Sequence, residues 1–263
     1  MLVAVLEGFE EGSRTFLGRT RTVYRRGEGP GVLIIHEIPG ITPQVAEFAR
    51  RVADAGFHVA LPQLFGTPGK PISPGYVLGQ MARACVSREF HVLAAHRASP
   101  ITEWLRALAR DLHEEIGGKG VGAIGMCLTG NFALALMMEP FLMAPVLSQP
   151  SLPFPFGKER RAALHIDGEQ LETVRRRANE GAGVLGLRFT HDPLCPPERF
   201  ETLRRELGQG FESIEIDSGP GNPHGLTRAA HSVVTTELVD EEGHPTRQAL
   251  DRVIALFEER LRG

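Results

Sequence analysis

The segment Gly125-Met126-Cys127-Leu128-Thr129-Gly130 sets a thiol among small residues, where the apolar run Gly120–Ile124 gives way to the helical run Asn131–Met138. A reactive side chain on a tight strand-to-helix turn is a nucleophile elbow, usually written G-x-S-x-G. Its small neighbours tolerate a strained backbone and let strand and helix approach closely. Here the nucleophile position holds sulfur. A thiol attacks a carbonyl only as thiolate, so it needs a base or cation nearby, and the usual arrangement is an imidazole oriented by a carboxylate.

In doubly wound hydrolases those partners follow the nucleophile in the order acid, then histidine, each on a loop after a later strand. Asp192 meets the first condition, in His191-Asp192-Pro193-Leu194-Cys195-Pro196 after the strand-like run Val184–Thr190. His224 meets the second, in the proline- and glycine-rich loop Ser218–Gly225 after the last strand-like run, Ser213–Ile216. Both lie where parallel sheets carry function, at the carboxyl ends of strands. Asp167 and Asp217 compete for the acid, but the first follows the wrong segment and the second precedes the histidine loop too closely. His36, His165, His191, His231 and His244 compete for the base, and none has the placement of His224 relative to the last strand. Cys85 and Cys195 lack an elbow context and are expected in the core or a loop. There is no H-E-x-x-H or paired-cysteine motif, so neither a metal nor a cofactor is expected.

These positions require a parallel sheet to hold them. Thr20–Arg25 predicts a strand, Val32–His36 a central strand buried on both faces, Thr42 to Ala55 a capped helix ended by Gly56, and Phe57–Leu61 the next strand. Strand, helix, strand with short joints is a βαβ unit. The Met1–Gly8 burst predicts a first edge strand rather than a signal peptide. Residues 63–100 form a long irregular insertion, expected as a lid or binding wall. An amphipathic helix at Ile101–Ile116 precedes the elbow. Beyond it come a strand at Ala144–Leu147, helices at Gln170–Asn179 and Pro197–Leu207, and a closing helix at Ala249–Leu261.

Bulk properties fit one α/β domain over residues 1–263: 42% hydrophobic residues supply a sizeable core. A formal net charge of -3 gives no reason to expect nucleic acid or an anionic membrane as partner, and Arg175–Arg177 fits a solvated helix face. No apolar run is long enough to span a bilayer. Three cysteines are not a disulfide framework and suit a reducing, cytoplasmic compartment.

With these residues in place, the sequence resembles the dienelactone hydrolase family of α/β hydrolases, from Val32–Gly40 to the final helix. The Gly125–Gly130 segment is similar to the family's G-x-C-x-G-G elbow, Asp192 and Pro196 match its D-x-x-x-P acid loop, and His224-Gly225 matches its histidine followed by a small residue. The resemblance implies an α/β-hydrolase fold, a mostly parallel sheet with helices on both faces. It implies hydrolysis of an ester or lactone through a Cys127-His224-Asp192 triad, with backbone N–H groups of Leu128 and Ile38 as the oxyanion hole. It also implies that Glu37, directly after the Val32–His36 strand, helps control the ionisation of the thiol. Arg228, four residues past His224, would hold a substrate carboxylate, as in a small carboxylate-bearing dienelactone. Arg83 and Arg88 both fall where a second substrate arginine is expected. Thr129 departs from the family's glycine, and a β-branched residue there is expected to crowd the helix–strand contact. A generic carboxylesterase or thioesterase, and a ligand-binding homologue without turnover, are the other readings these residues allow.

Overall fold

The computed structural model describes residues 5–87 and 99–263. Eight strands form one sheet: β1 (Glu10–Phe16), β2 (Arg19–Arg26), β3 (Gly31–Ile35), β4 (His58–Pro62), β5 (Val121–Met126), β6 (Leu142–Ser148), β7 (Val184–Phe189) and β8 (Phe211–Ile216). Their spatial order is β1-β2-β4-β3-β5-β6-β7-β8. The β1/β2 and β2/β4 pairs are antiparallel and every later pair is parallel. This is the doubly wound α/β-hydrolase sheet, with an antiparallel ribbon at one edge.

Alternation along β3 shows how the core divides. Leu33 and Ile35 join one buried cluster and Val32 and Ile34 the other, because successive side chains leave a strand on opposite faces. The first face is covered by α3 (Pro100–Ile116), α4 (Phe132–Leu136), α6 (Gly168–Asn179) and α7 (Pro197–Leu207). Trp104, Leu108, Phe200 and Leu203 are among their core residues. The second face is covered by α1 (Pro43–Asp54) and α8 (Pro245–Leu261), through Phe48, Val52, Val253 and Phe257. Each such side chain contributes roughly 1.5–3 kcal/mol of transfer free energy.

Helix α1 begins as its sequence demands. The Thr42 hydroxyl accepts the Val45 N–H at 3.2 Å, and Pro43 occupies the first turn, where a missing N–H costs nothing. Gly56, at φ +86°, ends it.

Two expectations are corrected here. The edge strand is Glu10–Phe16, not the apolar Met1–Gly8 burst, of which residues 1–4 lie outside the described part and 5–8 form a helical turn. β1 is polar and exposed, so it carries no alternating apolar signal. Within the insertion expected to be irregular, Pro74–Val86 is a helix, α2, and residues 88–98, including Arg88, lie outside the described part. A further short helix, α5 (Lys158–Ala162), lies between β6 and α6. Among the described residues no helix is long and apolar enough to cross a membrane.

Candidate active site

β5 delivers the elbow. Cys127 is the first residue of a 3-10 turn, Cys127–Thr129, and its φ of +54° puts a side chain-bearing residue in the left-handed region. That conformation costs on the order of 1–2 kcal/mol and is held by its surroundings. The Cys127 carbonyl accepts from Gly130 N (3.0 Å) and from Ser151 N (2.9 Å). A Cβ on Gly125 would land on the Thr129 carbonyl oxygen, and one on Gly130 would land on the backbone of Pro150. Both small residues are therefore required by backbone approach. The Cys127 side chain is nearly enclosed, at 6% exposure.

Thr129 does not crowd this turn. Its hydroxyl accepts the Met126 N–H at 3.0 Å and aims its proton at the Ile35 carbonyl (2.9 Å), with the carbonyls of Met126 and His36 also in reach. The threonine thus pins the elbow to the end of β3, a bond no glycine could make.

Asp192 follows β7 as expected. Its side chain is fully buried; Oδ1 accepts the Leu194 N–H at 2.9 Å, and Oδ2 lies 2.6 Å from a histidine Nδ1. That histidine is His231. His224 is solvent-exposed, its backbone N–H bonded to Asn222 Oδ1 and its ring edge-on to His244 at 5.0 Å. The turn centred on Gly221 and Gly225 carries His224 to the surface, while the chain returns to the site only at Ala230–Thr235.

With Nδ1 engaged by Asp192, His231 Nε2 is buried and makes no conventional hydrogen bond. Cys127 falls outside strict hydrogen-bond geometry to it, yet is near enough to act on the ring. Burial disfavours the imidazolium, but the interactions of the ring with Cys127 and with Asp192 outweigh it, holding His231 well above the ordinary histidine value. The side chain retains 18% exposure, so a substrate or water can reach its edge.

Glu37, directly after His36 at the end of β3, is 2% exposed. Its Oε2 accepts from Gln149 Nε2 (3.1 Å) and Ser232 Oγ (2.7 Å), and its Oε1 accepts from Thr235 Oγ1. The carboxylate is thus engaged by side chains of the loops that follow β6 and β8. Next to it, the Ile38 N–H donates to no backbone acceptor among the described residues, and Leu128 is the second residue of the 3-10 turn.

Arg228 is exposed and precedes His231 by three residues; the position four residues after His231 is Thr235, which bonds Glu37. Its expected clamp role is counted from His224, which is exposed as well. Arg83, on α2, is exposed. Of the competing acids, Asp167 caps α6 through Gln170 N, and Asp217 accepts from Gly219 N. His36 is buried between the Leu64 N–H, which donates to Nε2, and the Glu37 carbonyl at Nδ1, and burial pushes it down to about 4. Cys195 is wholly buried and its thiol is pushed up to about 12, which leaves it inert. Among the described residues no group of three or more His, Cys, Asp or Glu side chains could hold a metal.

Sequence reasoning missed His231 because proline and glycine drew attention to the first histidine after β8. A weak signal was present: Ala230-His231-Ser232-Val233-Val234 follows its histidine with two consecutive apolar residues, whereas His224 is followed by Gly225 and the single apolar Leu226.

The model of the dienelactone hydrolase family matches residues 15–261. A curated Saccharomyces cerevisiae protein described as "Putative carboxymethylenebutenolidase" is 21% identical over 196 residues, which cover 73% of this chain and 69% of that protein. Among solved structures, a "Putative Dienelactone Hydrolase" from Klebsiella pneumoniae subsp. pneumoniae MGH 78578 superposes with a TM-score of 0.64 at 19% identity, over 95% of this chain and 98% of that one. A dienelactone hydrolase from Anabaena variabilis ATCC 29413 gives 0.61 at 15% identity, over 97% of this chain and 100% of that one. At these identities the structural likeness speaks for the fold.

Proposed function

The chain belongs to the dienelactone hydrolase family and is a hydrolase of the ester and lactone type; we propose that it works by covalent catalysis through Cys127, His231 and Asp192. The observation that carries this reading is the His231 ring, bonded to Asp192 on one nitrogen and presenting the other, otherwise unpartnered, toward the elbow thiol.

In this reading Cys127 Sγ attacks the substrate carbonyl as thiolate. The oxygen that becomes negative is received by the N–H groups of Leu128 and Ile38. The tetrahedral intermediate collapses to a thioester as the carbon–oxygen bond breaks, and His231 Nε2–H gives its proton to the leaving alkoxide. For a lactone the leaving group stays tethered as a hydroxyl. Neutral His231 then takes a proton from water, the hydroxide attacks the thioester, and the thiolate departs beside the restored imidazolium. Asp192 holds Nδ1–H throughout and stabilises the positive ring without taking its proton.

The substrate is a small ester or lactone. With Arg228 at the surface, a substrate carboxylate has lost the guanidinium that motivated it. Because a free thiolate must survive, a reducing, cytoplasmic setting suits the protein, and all three cysteines are unpaired.

Hydrolysis of p-nitrophenyl acetate and of a cis-dienelactone by wild type and by Cys127→Ala tests the reading. Turnover that disappears in the variant supports it, and the ratio between the two substrates reports whether a carboxylate is recognised. Undiminished turnover in Cys127→Ala would sink the cysteine mechanism.

A further inference from the structure

Ser232, the residue after His231, has two hydrogen-bond donors, and a different carboxylate takes each. Its backbone N–H donates to Glu237 Oε2 at 2.7 Å and its hydroxyl to Glu37 Oε2 at 2.7 Å. The next residues are held in the same way. The Val233 N–H donates to Gln149 Oε1 at 3.3 Å, and the Thr235 hydroxyl donates to Glu37 Oε1. Gln149 in turn donates to Glu37 Oε2 at 3.1 Å, so the ends of β3 and β6 and the histidine loop share one buried network. The Glu237 backbone closes the loop on itself, its N–H donating to the Ser232 carbonyl at 3.1 Å.

Two carboxylates converging on one serine is an unfavourable arrangement for the fold by itself. Burial and the nearby Glu37 carboxylate push the Glu237 carboxyl up on balance, against the Ser232 N–H, the charge of His231 and the His231 backbone N–H, which draw it down. Nothing in the elbow or the oxyanion region needs Glu237. Its contacts go to the backbone that carries His231.

We infer that Glu237 and Glu37 are positioning residues, which fix the histidine loop by each holding one donor of Ser232 and so keep the His231 imidazole between Asp192 and Cys127. On this account Glu37 acts on the imidazole through Ser232 and Thr235. The reach is short: an imidazole that swings out of line loses either the Asp192 bond or the thiol, and misplacement of about 1 Å is enough to cost a large part of a catalytic rate. The inference rests on the reading of Cys127 and His231 as a working pair.

The test compares wild type, Glu237→Ala, Glu237→Gln and Ser232→Ala. Two quantities are read: kcat and KM for p-nitrophenyl acetate, and the pH profile of Cys127 alkylation by iodoacetamide, located by peptide mass. Glu237→Ala should lose about tenfold or more in kcat with KM nearly unchanged, and its alkylation midpoint should move up by about one pH unit as the imidazolium leaves the sulfur. Glu237→Gln keeps an oxygen for the Ser232 N–H and should stay within about threefold of wild type. Ser232→Ala removes only the hydroxyl bond to Glu37 and should fall in the same direction as Glu237→Ala, which keeps the test open should that variant fold poorly. Unchanged kcat and unchanged alkylation profiles in Glu237→Ala and Ser232→Ala would overturn the inference. Cys127→Ala and His231→Ala separate the levels. If they abolish turnover while the Glu237 and Ser232 variants are silent, only the positioning role falls; if they too are silent, the catalytic pair falls with it.

Discussion

Asp192 Oδ2 and His231 Nδ1 stand 2.6 Å apart, joining the loop after β7 to a loop 39 residues further along the chain. Asp192 is sealed from solvent and its other oxygen is spent on the Leu194 N–H, so the carboxylate has one free direction and His231 fills it. This bond brings His231, and not His224, to the acid.

Replacing His231 should be far more damaging than replacing His224. His231→Ala is expected to lower kcat/KM for an activated ester by about 10²–10⁴-fold, the range of a lost general base. His224→Ala and Arg228→Ala, both at exposed side chains, should stay within about threefold. Steady-state kinetics on the three variants decides; a collapse in His224→Ala with His231→Ala intact would reverse the assignment.

The raised basicity of His231 predicts a pH signature in stability. A base whose folded value lies above its unfolded value of 6.5 contributes stability that is complete below the unfolded value and is lost as pH rises through the folded one. The Tm difference between wild type and Asp192→Asn should therefore be widest near about pH 6 and narrow toward about pH 10. A difference that grows with pH would contradict the charged Asp192–His231 pair.

Local pattern was enough for the parallel half of the sheet, for α1 with its Thr42 cap, and for the elbow and acid loop, because each depends on neighbours in sequence. β1 was not legible: an exposed antiparallel edge strand has no buried face to impose alternation. His231 was not legible for a different reason. The chain between β8 and α8 has no regular structure, and what places it is a set of hydrogen bonds from Ser232 and Thr235 to Glu37, across 195 and 198 residues. Thr129 looked like a steric fault until its hydroxyl could be seen bridging Met126 and Ile35, residues on adjacent strands.

That bridge gives a stability prediction. Thr129→Val keeps the shape but leaves the buried Met126 N–H and Ile35 carbonyl without their hydroxyl partner, at a cost of about 1–3 kcal/mol. Thr129→Ser should avoid most of that loss, since it keeps the hydroxyl. Urea unfolding of the three proteins measures it, and a Thr129→Val protein as stable as wild type would show that the bridge carries no weight.

The mechanism stands on acylation of the Cys127 sulfur. Rapid quenching of wild type with p-nitrophenyl acetate, followed by peptide mass analysis, should find one acetyl group per chain on the Cys127 peptide, formed with a burst of nitrophenol and absent from Cys127→Ala. Full turnover by Cys127→Ala, or acetyl groups that appear elsewhere while the Cys127 peptide stays unmodified, would contradict it.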